Sequence, residues 1–155
     1  MTPLQAYYTI DGNVKFCTNE KHELWINGRD VLREIDADVI SLSVLRSAVV
    51  IVVDDPDLHG KSVADSYRSD REGNVFAFTH QGELAWTIHD LASPLHFPFC
   101  AGSPLSQEER ELYQKWYRIA FEQTHEYYVA RNAADGHFLI DLTDQRLLAQ
   151  ITQRS

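Results

Sequence analysis

Apolar and polar residues alternate most clearly in residues 73–88, and this alternation predicts a β-hairpin. Two apolar sets stand on either side of a turn: Val75, Phe76, Ala77 and Phe78 before it, and Leu84, Trp86 and Ile88 after it. Period-two alternation is typical of strands because successive side chains point to opposite faces of a sheet. Gly82 suits the left-handed position of a three-residue hairpin loop. We expect Leu84, Trp86 and Ile88 to share one face.

Further strands are predicted on the N-terminal side of this hairpin. Residues 5–10 and 14–17 flank a turn that Gly12 permits, and the dipeptide Asn27-Gly28 marks another turn. Residues 29–35 fit a strand or one or two helical turns equally well. The run 48–53 is β-branched at five of its six positions, which is typical of a buried strand. Residues 39–53 therefore predict a strand pair or one long strand.

The C-terminal third predicts a strand over residues 126–131 and a closing hairpin over residues 136–151. Similar residues stand at identical spacing in this closing hairpin and in the hairpin predicted over residues 73–88. Gly73, Val75, Leu84 and Ile88 of the first hairpin correspond to Gly136, Phe138, Leu147 and Ile151 of the closing one. Prolines at positions 94, 98 and 104 remove backbone donors and restrict the residues before them. Residues 93–104 are accordingly expected to form an apolar connector without regular structure.

One principal α-helix is predicted over residues 107–124. Ser106 and Glu109 stand in the capping-box relation, in which each side chain accepts a hydrogen bond from the other residue's amide. The apolar stripe expected to face the core, with its aromatic flank, comprises Leu112, Trp116, Ile119, Ala120, Tyr113, Tyr117 and Phe121. The predicted fold is α+β: one domain, residues 1–155, with a mainly antiparallel sheet built of hairpins and this helix packed on it.

Composition indicates the cellular compartment of the protein and the charge of its expected partner. The chain has 155 residues and a formal net charge of −9, which disfavours nucleic acid and favours a basic protein as partner. No uncharged apolar run approaches the roughly 18 residues of a membrane helix. The start of the chain lacks a basic segment followed by an apolar one, so a cytoplasmic location is expected. In that reducing compartment, Cys17 and Cys100 are expected to be small buried hydrophobes.

Motifs for catalysis, cofactors or metals fail on spacing, so none is predicted. Gly60-Lys61-Ser62 resembles the end of a phosphate-binding loop, but Asp55 occupies the position of its first glycine. The segment from Asp55 begins like a calcium loop, yet Ser66 replaces the glutamate that would bind the ion through both oxygens. The histidines lack the spacing that presents two zinc ligands on one helical face.

Residues 54–72 form a long polar segment of the kind that is uncommon in compact domains unless it is functional or disordered. Three basic residues accompany six acidic ones, which we predict to contact a partner: Asp54, Asp55, Asp57, Asp65, Asp70 and Glu72. An acidic loop of this kind steers the encounter with a basic protein.

The pattern of residues 73–78 and 82–88 follows a hydrophobic strand that ends in acidic residues. This pattern resembles that of small bacterial immunity proteins of polymorphic toxin and contact-dependent inhibition systems. Residues 135–143 resemble their closing segment, although Gln145 stands where a glycine would follow, and the predicted helix resembles an insertion. The resemblance implies a non-catalytic protein that binds and neutralises a cognate toxin. We expect the acidic segment to contact that toxin.

Two other classes of function stay open. A small-molecule-binding or enzymatic α+β domain would use a pocket between helix and sheet, with His89, His96 and Tyr113 as its polar groups. A structural subunit would instead expose an apolar patch and form a homodimer.

Overall fold

Short strands separated by turn-forming residues account for most of the structure. The computed structural model describes residues 7–10, 13–17, 23–32, 38–54, 74–92, 99–132 and 136–152. Within these ranges the chain forms three four-stranded antiparallel sheets and one principal helix, which confirms the α+β prediction. In each sheet, strands that are consecutive in the chain are neighbours.

Sheet 1 is formed by the N-terminal strands β1 (Tyr7–Ile10), β2 (Val14–Cys17), β3 (Glu23–Ile26) and β4 (Arg29–Asp30), in that order. Asn27 and Gly28 join β3 to β4 with φ values of 51° and 79°. Positive φ at both central residues is the signature of a two-residue hairpin turn that matches strand twist. The turn predicted at Asn27-Gly28 is therefore confirmed. Val31 and Leu32 form a turn after β4, and residues 33–37 lie outside the described ranges.

Sheet 2 is formed by β5 (Asp38–Val44), β6 (Val49–Asp54), β7 (Val75–Phe78) and β8 (Leu84–Thr87), in that order. The β-branched run is thus the second member of a strand pair. The central hairpin is confirmed as β7 and β8, and Gly82 has φ 87° in its loop. Trp86 and Ile88 share one buried face, whereas Leu84 is half exposed. Ile88 begins the short helix α1 (Ile88–Leu91).

Sheet 3 is formed by β9 (Phe99–Pro104), β10 (Tyr127–Asn132), β11 (Gly136–Asp141) and β12 (Arg146–Thr152), with β9 and β12 at its edges. The expectation that residues 93–104 lack regular structure is wrong for residues 99–104. Pro104 ends an edge strand, where a missing backbone donor is tolerated. Cys100 in β9 is exposed, contrary to the expectation of burial, because alternation along β9 turns it away from Phe99.

The three sheets and the helix are successive layers. β6 lies in the middle, so Val49, Ile51 and Val53 pack against sheet 1. Val50 and Val52 face the other way and pack against sheet 3. This burial on both faces explains the continuous apolar run in β6. The outer face of sheet 3 is covered by the helix and the segment that follows it.

The principal helix α2 (Gln107–Tyr117) begins as predicted and ends earlier than predicted. Ser106 Oγ accepts a hydrogen bond from the Glu109 amide at 3.1 Å, and the Glu109 carboxylate accepts from the Ser106 amide at 3.2 Å. Arg118 adopts the left-handed conformation, φ 54°, which stops the helix at Tyr117. The predicted bound at residue 124 is wrong because arginine, unlike glycine, does not mark a left-handed position in the sequence.

Candidate partner-binding surface

The structure describes only one of the six residues that are predicted to bind a partner. Asp54 is the last residue of β6, whereas Asp55, Asp57, Asp65, Asp70 and Glu72 lie outside the described ranges. The acidic segment therefore stays a prediction. Of the three polar groups proposed for a pocket, His89 lies in α1, His96 lies outside the described ranges, and Tyr113 is fully buried.

Tyr113 fastens the inner face of α2 to sheet 3. Its side chain is fully buried among residues of β10, β11 and β12. Its hydroxyl lies 2.8 Å from Nδ1 of His137, in β11. Burial, together with the negative charge of Glu109, raises the pKa of Tyr113 to about 12. The hydroxyl is thus a neutral hydrogen-bonding group, and its position under the helix is structural.

An ion pair is the second contact that holds α2 against sheet 3. Arg131 Nη2 lies 2.6 Å from Glu109 Oε2, and Arg131 Nη1 donates to Ser103 Oγ at 2.8 Å. Burial acts to raise the pKa of Glu109, but the hydrogen bonds of Ser106 and the charge and hydrogen bond of Arg131 outweigh it and hold that pKa below its ordinary value. Glu109 therefore joins the helix cap to both β10 and β9.

The opposite flank of α2 is held by an aromatic stack. The Arg110 guanidinium carbon lies 5.3 Å from the ring centroid of Phe121 and 5.5 Å from that of Tyr127. These two rings meet edge to face with centroids 4.9 Å apart. Cation–π and edge-to-face contacts of this kind are each worth about 0.5–1.5 kcal/mol. Contacts on both flanks therefore fix the helix against sheet 3.

The outward side of α2 presents large apolar residues to solvent. Trp116 is 66% exposed, Tyr117 45% and Leu112 40%. We call these three residues the helix surface. Leu112 and Trp116 are one helical turn apart and lie on one face, so the stripe predicted to be core is wrong for this pair. Leu112, Tyr113, Trp116 and Tyr117 form one apolar stripe along α2, and periodicity alone does not show which edge of that stripe is buried. The buried contacts of Tyr113 and Glu109 choose the face.

Charged side chains border the helix surface. Glu108 and Glu111 are exposed near its N-terminal end, and Lys115 Nζ lies 5.4 Å from the centroid of the Trp116 ring. Exposed indole and phenol groups on a rigid element with a charged border are typical of surfaces that bind proteins. The sequence carries no separate signal for this surface, because Leu112 and Trp116 belong to the same apolar stripe as the buried Tyr113.

A second feature is a groove where sheet 1 meets sheet 2. It encloses about 390 Å³ and is lined by Arg29, Asp30, Val31, Phe78, Gly82, Glu83 and Leu84. The half-exposed Leu84 gives it an apolar part, and charges of both signs border it. The groove lies away from α2, so it does not correspond to the pocket that the sequence suggested between helix and sheet.

A third feature is a cluster of possible metal ligands where β10 begins and β11 ends. His125 Nδ1 lies 2.8 Å from Asp141 Oδ2 and 3.8 Å from Asp144 Oδ2. The hydrogen bond to Asp141 is the main reason why the pKa of His125 lies above its ordinary value.

The residue after His125, Glu126, contacts sheet 2 instead of this cluster. Its carboxylate accepts hydrogen bonds from the amides of Arg46 at 3.1 Å and Ser47 at 2.5 Å.

Comparisons with known proteins add no family to this picture. No helix among the described residues is long and apolar enough to cross a membrane. No family model matches the sequence, and neither a curated protein nor a solved structure matches it.

Proposed function

We propose that this protein is a non-catalytic, immunity-type protein that binds a cognate protein toxin and neutralises it by covering its active surface. The observation that carries the proposal is the helix surface, on which Trp116 is 66% exposed beside Tyr117 and Leu112. The resemblance of residues 73–88 and 135–143 to small bacterial immunity proteins agrees with it.

The energetics of protein interfaces support this role for the helix surface. Tryptophan and tyrosine are enriched among the few residues that dominate binding energy. An anchor binds more strongly when its backbone is already ordered, because less conformational entropy is lost on association. The Glu109–Arg131 pair and the buried Tyr113 supply that order on the inner side of α2. Trp116 is therefore suited to insert into an apolar pocket of a partner.

Charge indicates the kind of partner. The chain carries a net charge of −9, and Glu108 and Glu111 border the helix surface. We expect a basic toxin, attracted over distance by the acidic segment 54–72 and anchored by the helix surface. Electrostatic attraction of this kind raises association rates and weakens as salt screens it. Nucleic acid and membranes are not expected partners, and a location in the cytoplasm fits this role.

Small-molecule binding is the alternative function. The groove of about 390 Å³ between sheets 1 and 2 falls in the size range of ligand sites. Its mixed lining, with Arg29, Asp30 and Glu83 around an apolar part, would suit a small polar ligand. A structural subunit that dimerises through the helix surface is the third possibility, and it predicts a dimer at low protein concentration.

The test is a binding experiment with the gene's neighbours. The tagged protein is purified from source cells that express them, bound proteins are identified by mass spectrometry, and the partner is then purified. We expect one basic, toxic protein whose affinity falls at least about 100-fold for Trp116→Ala, the scale of a strong anchor residue. Light scattering of the isolated chain measures its oligomeric state in parallel.

Trp25→Ala is the matched control. Trp25 is 37% exposed and lies on the outer face of sheet 1, at the other end of the stack of layers. It should leave binding unchanged. Recovery of no basic toxin, or equal loss of affinity for both tryptophan variants, would contradict the proposal.

A further inference from the structure

The cluster of His125, Asp141 and Asp144 joins three segments that meet at one end of sheet 3. His125 precedes β10, Asp141 ends β11, and Asp144 lies in the turn before β12. One ligand atom from each side chain lies within 4.8 Å of the other two. The closest pair, His125 Nδ1 and Asp141 Oδ2, is 2.8 Å apart. The third atom, Asp144 Oδ2, belongs to an exposed side chain and lies 3.8 Å from His125 Nδ1.

Asp141 is held in a fixed orientation. Its side chain is 2% exposed, and its Oδ1 atom accepts hydrogen bonds from the amides of Thr143 at 2.9 Å and Asp144 at 3.0 Å. These bonds leave Oδ2 directed at His125. Outer-shell hydrogen bonds to a carboxylate are the usual means by which proteins orient a metal ligand.

The donor set selects the class of ion. An imidazole nitrogen with two carboxylate oxygens suits Zn²⁺ and similar first-row dications, whereas Ca²⁺ and Mg²⁺ prefer oxygen ligands alone. Two carboxylates supply the charge that balances a dication. His125 is 20% exposed and Asp144 46%, so an ion has access from solvent and retains water on that side.

We propose that His125, Asp141 and Asp144 form a binding site for Zn²⁺ or a similar transition-metal dication that links the start of β10 to the β11–β12 turn. Binding places the ion on His125 Nδ1 and releases to the buffer any proton carried there. The ion then joins two segments of sheet 3 that side-chain contacts already bring together. This site is independent of the partner-binding role proposed for the helix surface.

The experiment is a calorimetric titration of the full chain with ZnCl₂ at one neutral pH, after removal of bound metal with a chelator. We expect one Zn²⁺ per chain in the wild type. Asp144→Asn should weaken that binding at least about tenfold, because losing a ligand costs no less than losing an outer-shell partner. Asp144 is in an exposed turn, and its backbone amide remains to hold Asp141, so this variant should fold. His125→Gln should weaken binding at least as much.

Glu83→Gln is the matched control, since it removes an exposed carboxylate from sheet 2 and should bind Zn²⁺ as the wild type does. Circular dichroism of each metal-free variant checks folding, and Asp144→Asn decides the matter where His125→Gln does not fold. Absence of saturable binding in the wild type would overturn the proposal. An Asp144→Asn affinity within tenfold of the wild type would also overturn it, because Asp144 would then not be a ligand of the bound ion.

Discussion

Asn74 and Tyr128 are both buried polar residues, but their side chains differ in the hydrogen bonds they make. We therefore predict opposite effects on protein stability when the polar group of each is removed. Asn74 is 2% exposed and connects sheet 2 to the first residue of β9. Its Oδ1 atom accepts from the Phe99 amide at 2.8 Å, and its Nδ2 atom donates to the carbonyls of Phe99 and, at 3.1 Å, Val53. The buried Tyr128 hydroxyl, by contrast, makes no hydrogen bond of regular geometry among the described residues, although the side chains of Ser41 and Ser43 lie near it and act to lower its pKa.

The magnitudes follow from these contacts. Asn74→Ala deprives the amide and the carbonyl of Phe99 of this side-chain partner inside the protein. Three hydrogen bonds of a buried side chain are lost, each worth about 1 kcal/mol, so we expect a loss of about 3 kcal/mol in the free energy of unfolding. Tyr128→Phe removes a hydroxyl that burial already penalises, and burial also raises its pKa to about 12. That change is expected to be neutral or stabilising.

The assay is urea unfolding of the wild type and both variants, followed by circular dichroism and thermal melts. For a chain of 155 residues, a loss of 1 kcal/mol lowers the melting temperature by about 2–4 °C, so Asn74→Ala should melt about 6–12 °C lower. Tyr128→Phe should melt within about 2 °C of the wild type or higher. A loss below about 1 kcal/mol for Asn74→Ala, or a larger loss for Tyr128→Phe, would refute the reasoning.

Three further predictions concern backbone strain and pH. Gln145 has φ 54° in the β11–β12 turn, so Gln145→Gly should stabilise the protein by about 0.5 kcal/mol after allowance for the looser unfolded chain. Gly82→Ala should destabilise by more than about 1 kcal/mol, because φ is 87° and the new Cβ would lie 2.7 Å from the Ile26 carbonyl oxygen. Chemical denaturation measures both, and a stabilised Gly82→Ala would contradict this account. The lowered pKa of Glu109 means that its pairing with Arg131 stabilises the fold above the ordinary carboxyl pKa. That contribution is lost as pH falls through the lowered value. The stability difference between wild type and Glu109→Gln should therefore shrink as pH falls below the ordinary carboxyl pKa, and a constant difference would contradict the assignment.

Local signals in the sequence were sufficient for the turns and for the start of the helix. Asn27-Gly28 and Gly82 mark loops that need positive φ, and the structure has positive φ at each. Ser106 and Glu109 define the helix start through contacts only three residues apart. The shared spacing of the two hairpins also has a structural counterpart, since Gly82 and Gln145, 63 positions apart, are both left-handed. Such features depend on neighbouring residues alone.

Features that depend on distant residues could not be predicted. The inner face of α2 is determined by Tyr113 contacting His137 and by Glu109 pairing with Arg131, and these partners lie 24 and 22 residues away along the chain, respectively. Leu112 and Trp116 fit the apolar period as well as Tyr113 does. Contacts with sheet 3 determine which side of the helix is buried, so the exposed helix surface could be identified only from the structure.

The layering of three sheets was likewise beyond the sequence. The apolar run in β6 indicates burial on both faces, but it does not identify the layers on either side. Those layers are sheet 1 and sheet 3, and their contacts with β6 join residues far apart in the sequence. The acidic residues 55–72 lie outside the described ranges, and their role as partner contacts stays a prediction.

The central claim is that the helix surface neutralises a toxin, and growth rescue tests it most directly. Cells that express the toxin recovered as the binding partner receive the wild-type protein, Trp116→Ala or Trp25→Ala at equal, verified levels. The account predicts that the wild type and Trp25→Ala restore growth and that Trp116→Ala does not, although it folds as stably as the wild type. Equal rescue by all three proteins, or rescue by none, would contradict it.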